Sequence, residues 1–125
     1  MIKFRIFLIG SFLCAALSQS SAASVRIDSS LFGNHMNDKE LTVCGTLAEV
    51  KKISNGVFLN LGDVFPRQDV SVVIQGNVLG AVSKKFGRID KYIGKKFCAT
   101  GAPQISRSGQ PQLPVLNPTL LRLMK

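Results

Sequence analysis

Side chains able to do chemistry are few in this chain, and their spacing is poor in catalytic patterns. The one histidine, His35, lies in a polar stretch with no nucleophile or base organised beside it. The acids Glu49, Asp63, Asp69 and Asp90 are scattered, without the paired-carboxylate or metal-site spacing that catalysis by such groups needs. Cys44, Cys98 and His35 are too few and too far apart for a structural zinc site, which takes four closely paired ligands. No metal, no cofactor and no enzyme activity are expected. What remains is binding chemistry. Lys and Arg number 16 against 7 Asp and Glu, a net charge of +9, and positive charge favours phosphate contacts that weaken with salt. Lysines also keep a small domain soluble without contacting anything, so placement matters more than number.

The first residues change this inventory. Lys3 and Arg5 precede the apolar run Ile6–Leu17, and small or polar residues follow from Ser18 to Ala23. That is the n-region, h-region and cleavage-site order of a secretory signal peptide. The run of about a dozen residues is short of the ~20 that a membrane-spanning helix needs, and no charged stop-transfer segment follows. Residues 1–23 are therefore expected to be cleaved, leaving 102 of the 125 residues and no membrane span. Without Lys3 and Arg5 the mature charge becomes +7. Cys14 leaves as well, so Cys44 and Cys98 remain. In an exported protein two cysteines favour a disulfide over two free buried thiols, worth about 3–4 kcal/mol on the chain-entropy model. The periplasm or the exterior of the cell is the expected location.

The elements that must position these groups follow in order. Residues 24–40 read as a polar lead-in of low order, with Leu31, Phe32 and Met36 available for a short docking helix. Leu41–Ile53 is a long first strand in which Gly45 suggests a bulge or bend. Ser54-Asn55-Gly56 is a tight turn. Val57–Leu61 and Val70–Gln75 are the second and third strands, separated by a loop containing Pro66. From Gly76 to Gly87 the period becomes helical, with Val78, Leu79, Val82 and Phe86 on one face. Lys96–Gly101 is a fourth strand. Gln112–Leu116 is a short fifth, weakened by Pro111 and Pro114 and so placed at an edge. Three strands, a helix and two strands, with a first strand long enough to serve two sheet halves, predict an all-β, five-stranded Greek-key OB-fold barrel over residues 41–125, with one helix between strands three and four. Strands one and four are neighbours in that topology, which makes a Cys44–Cys98 bridge geometrically reasonable.

Several blocks resemble a known group. Val43-Cys44-Gly45-Thr46-Leu47-Ala48-Glu49-Val50, Val57–Gly62 and Val70–Ile74, with Gly94-Lys95-Lys96-Phe97-Cys98-Ala99-Thr100-Gly101 and Ser108–Leu113, are similar to bacterial OB-fold nucleic-acid-binding proteins of the anticodon-binding-like type. The similarity runs from about Leu41 to Leu123, and Pro114 departs from the β-branched run usual in the last strand. The resemblance implies a binding module without fixing its ligand.

OB-folds bind oligonucleotides on the face of strands two and three, flanked by the first-to-second and fourth-to-fifth loops. Alternation turns Val57, Leu59, Leu61, Val70, Val72 and Ile74 inward, and Phe58, Asn60, Ser71 and Val73 outward. Phe58 is thereby expected to offer a ring for base stacking. Lys51 and Lys52 flank the first loop and Arg107 lies in the last. These seven residues form the expected interface for single-stranded DNA or RNA, read with little sequence preference. Phe65, Tyr92, Phe86 and Phe97 are read as core or loop anchors. Because nucleic acid is not the usual partner outside the cytoplasm, an envelope protein or a small ligand is the alternative partner.

Overall fold

The computed structural model describes residues 25–124; the signal peptide expected over residues 1–23 lies outside them. Alternating apolar residues build eight strands: β1 (Val25–Asp28), β2 (Leu41–Ile53), β3 (Gly56–Leu61), β4 (Val70–Gln75), β5 (Lys96–Gly101), β6 (Gln104–Ile105), β7 (Pro111–Pro114) and β8 (Leu121–Leu123). The helix α1 (Gly76–Phe86) stands between β4 and β5, and short 3-10 turns cover Ser29–His35, Ile89–Tyr92 and Pro118–Leu120. The five strands expected from the sequence are β2, β3, β4, β5 and β7.

The sheet order is β6-β7-β4-β3-β2-β5-β8, with β1 added beside β2. β2 serves two halves. Its first residues pair antiparallel with β5, from Leu41–Gly101 to Thr46–Lys96. Its last residues pair with β3, from Leu47–Leu61 to Ile53–Gly56, and the register shifts between Leu47 and Glu49. The bend therefore falls just after Gly45. Gly45 itself is needed for a close approach, since a Cβ there would meet Ser29 Oγ and stand 2.8 Å from Ser29 Cβ.

β7 runs parallel to β4, as an OB-fold requires of its third and fifth strands. No ladder joins β5 to β7 among the described residues, so hydrogen-bonded closure of the expected barrel is not detected. The reason is local. Val115 N–H donates to Val73 O on the β4 side, so the backbone of Pro114 faces the β5 side, where proline has no N–H to give. Gly101 fills that seam; a Cβ on it would strike the Pro114 carbonyl oxygen.

The lead-in is more ordered than its polarity suggests. β1 pairs in parallel with the start of β2. Asp28 caps the following turn, accepting from Ser30 N at 3.0 Å and Ser30 Oγ at 2.8 Å. Ser29 Oγ donates to Asp69 Oδ2 at 2.9 Å, tying this segment to the loop after β3. Ile27 and Phe32 are buried in the common core with Leu41, Val43, Leu47, Leu59, Leu61, Phe97 and Leu113. Phe32 docks in the stretch where a short docking helix is expected, whereas Ile27, between Arg26 and Asp28, gives no such signal.

α1 closes one end of the core with Val78 and Val82. Beside it Phe86, Tyr92 and Phe97 meet edge to face, with ring centroids 5.7–6.1 Å apart. Lys85 Nζ donates to the carbonyls of Pro118 and Leu121 at 3.0 Å each, so it serves the fold. Cys44 and Cys98 stand directly opposite in the β2–β5 ladder and form a disulfide. Among the described residues no helix is long and apolar enough to cross a membrane, and no group of three or more His, Cys, Asp or Glu side chains gathers for a metal.

Candidate functional site

The outer face of β2, β3, β4, β7 and β6 carries two rows of side chains set by the ladder register. In the first row Glu49 stands opposite Asn60, Asn60 opposite Ser71, Ser71 opposite Gln112, and Gln112 opposite Gln104. In the second, Lys51 is opposite Phe58, Phe58 opposite Val73, and Val73 opposite Pro114. Alternation thus puts Lys51, Phe58, Asn60, Ser71 and Val73 together on one face, as expected.

That face is not open along its whole length. Val57, Leu59, Leu61, Val70, Val72 and Ile74 fill the core as expected, yet Asn60 is 0 %, Ser71 2 % and Val73 8 % exposed, and Phe58 is partly buried. The expectation that Asn60, Ser71 and Val73 face solvent is corrected, and Phe58 is half-covered. Over Ser71 and Glu49 lie the loop from Gly62 to Asp69 and, through Gln68, Gln110 at the end of the β6–β7 hairpin. Asn60 Nδ2 donates to Glu49 Oε1 at 2.8 Å, and Ser71 Oγ donates to Asn60 Oδ1 at 2.6 Å. Gln68 Nε2 reaches Ser71 Oγ at 3.0 Å and Gln110 Oε1 at 3.1 Å. Phe65 N–H donates to the same Glu49 oxygen at 2.9 Å. The Phe65 N–H first, and the Asn60 amide second, hold the Glu49 carboxyl below the usual glutamate value.

The loop is held at both ends. Asp69 N–H donates to Leu61 O at 2.9 Å and Gly62 N–H to Thr46 O at 2.8 Å. Gly62 has φ +94°, and a Cβ there would lie 2.6 Å from Asp69 Cγ, so glycine is required. The Phe65–Pro66 peptide is cis. The ring of Phe65 remains 45 % exposed at the crown of this loop, with Lys51 Nζ 4.8 Å from its centroid. The open part of the face is therefore Lys51, Phe65 and the uncovered edge of Phe58.

Lys52 points to the opposite side of β2. There it borders a groove of about 600 Å³ floored by Val50, Val57, Leu79 and Ile89, with Arg88 and Asp90 on the rim. Arg88 and Asp90 pair at 2.9 Å, which holds the Asp90 carboxyl low. Arg107 is exposed in the hairpin turn, where Ser106 N–H donates to Gln110 O and Gly109 N–H to Ser106 O, both at 2.9 Å. Among the described residues no ion pair engages Lys51, Lys52 or Arg107.

Glu49, Phe65, Gln68 and Gln110 were not among the expected site residues. Phe65 beside Pro66, in a loop between two paired strands, was the one available signal. For Gln68 and Gln110 none exists, because their contact joins residues 42 positions apart.

No protein-family model and no curated protein matches the chain. Solved structures do. A chain of the Stn1–Ten1 complex of S. pombe is similar with a TM-score of 0.53 and 17 % identity, over 70 % of this chain and 59 % of that one. This chain thus spans about three-fifths of the length of that match. OBody AM3L09 bound to hen egg-white lysozyme gives a TM-score of 0.56 at 12 % identity, over 86 % of this chain and 98 % of its own. OBody AM1L10, also bound to lysozyme, gives 0.55 at 13 %, over 88 % and 99 %. At these identities the likeness concerns the fold, which is OB-fold-like.

Proposed function

We propose that this chain is a non-catalytic, exported OB-fold module that binds single-stranded nucleic acid with little overall sequence preference. The exposed Phe65 ring carries this reading, set under the ammonium of Lys51, the cross-strand partner of Phe58, on the face that OB-folds use for oligonucleotides. A base stacked on such a ring gains about 1–3 kcal/mol whatever its identity. Lys51 and Arg107 supply phosphate contacts at the two flanks, while Asn60, Ser71 and Val73 form the floor beneath. Lys52 belongs to the other side of the hairpin and contributes only long-range charge. The Cys44–Cys98 disulfide accords with action in the periplasm or outside the cell.

The test is fluorescence anisotropy with labelled single-stranded DNA on the mature protein. Binding is expected at low salt and weakens as salt rises. Phe65→Ala lowers affinity about tenfold, and Lys84→Ala, on the distant helix, less than about twofold. Absence of binding at low salt would overturn the proposal. A second reading, an envelope protein-interaction module, would then take its place. OBodies bound to lysozyme, similar to this chain in fold, hold a protein partner.

A further inference from the structure

The hydrogen bonds of the covered row run in one direction, and Glu49 sets it. An ionised carboxylate only accepts, so Asn60 turns its NH₂ to Glu49 and its carbonyl to Ser71. Ser71 spends its one proton on that carbonyl and can only accept from Gln68. Gln68 must therefore direct its NH₂ inward, where it meets both Ser71 and Gln110. Its carbonyl is left over. Gln68 Oε1 is buried without a hydrogen-bond partner, on a residue only 7 % exposed. Turning the amide over does not cure this. The carbonyl would then face a Ser71 proton already committed and the carbonyl of Gln110.

A buried acceptor without a donor is costly and calls for an explanation, such as a bound ligand. Gln110 is the movable neighbour: it is partly exposed and ends a hairpin turn of exposed residues, Arg107 to Gly109. With Gln110 withdrawn, Gln68 has a freed Nε2 donor beside its unpartnered Oε1 acceptor. That pair complements the N6 amino group and N7 of adenine, the usual target of a glutamine amide. We propose that Gln68 reads one base, binding adenine through both ends of its amide, and that Gln110 occupies the base's place in the free protein. The proposal rests on the nucleic-acid reading above and adds one position of preference to an otherwise neutral contact. Gln68 lies three residues along the loop from Phe65, within reach of a neighbour of the stacked nucleotide.

Two labelled strands test it: an oligothymidine of about 15 nucleotides, near the upper site size of one OB-fold, and the same strand with one central adenosine. Wild type should bind the adenosine strand about tenfold more tightly, the lower range for a bidentate base contact. Gln68→Met should remove the difference between the two strands. Gln110→Ala should tighten the adenosine strand alone, and it decides the matter should Gln68→Met fail to fold. Equal binding of both strands, unmoved by either substitution, overturns base reading and leaves the stacking reading intact. No binding of either strand by wild type overturns both.

Discussion

Asn60→Ala tests whether the outer row is sealed as described. Asn60 is 0 % exposed and makes two short hydrogen bonds, to the Glu49 carboxylate at 2.8 Å and from Ser71 Oγ at 2.6 Å. A bond to a charged group contributes about 1.5–3 kcal/mol and a neutral one about 1 kcal/mol. Truncation also leaves the Ser71 hydroxyl without its acceptor. The expected loss is about 3 kcal/mol, which for a domain of this size lowers Tm by roughly 12–20 °C. Urea unfolding of the oxidised mature protein, followed by far-UV circular dichroism, gives the free energy directly. Gln104→Ala is the control. It lies in the same row but is exposed, bonding only to Gln112 at 3.3 Å, and should change stability by less than about 0.5 kcal/mol. A double-mutant cycle with Ser71→Ala should show coupling of about 1 kcal/mol, because the two share one hydrogen bond. Were Asn60→Ala to cost no more than Gln104→Ala, the row would be solvated, and the covered-face description would be refuted.

Two further predictions concern the same framework. Cys44 and Cys98 close a loop with a sequence separation of 54, so reduction should cost about 4 kcal/mol of unfolding free energy; thiol titration of the denatured, unreduced mature protein should find neither cysteine free, and an unchanged urea midpoint after reduction would count against a stabilising bridge. Glu49 has a carboxyl pKa lowered by folding, so its contribution is complete above pH 4.5 and is lost as pH falls through the lowered folded value; Glu49→Gln should flatten the acid limb of the stability–pH curve, and an identical limb in variant and wild type would show that Glu49 does not carry it.

Much of the fold is legible in residue order alone. The alternation of Val57, Leu59 and Leu61 with Phe58 and Asn60 assigns each side chain to one face, because successive residues of a strand point opposite ways. The Ser54-Asn55-Gly56 turn then sets the β2–β3 register, and β-branched Val70–Ile74 supplies the next strand. Once β2 and β5 are neighbours, Cys44 and Cys98 fall opposite each other. These are local rules, or consequences of strand order.

What the tertiary structure alone decided is what lies on top of that frame. A period of two says which way Asn60 and Ser71 point; it is silent on whether another segment packs over them. That was settled by bonds between distant residues, Gln68 with Gln110 and Phe65 with Glu49. Barrel closure turned on the same kind of contact, with Pro114 offering no N–H to β5 and Gly101 fitted against it. The sequence by itself determined the five main strands, their inward faces and the cysteine partners, since each follows from neighbours along the chain or from the order of strands. The sealed polar row and the exposed Phe65 ring arose from long-range packing, where hydrogen-bond satisfaction and the room left by single glycines decide.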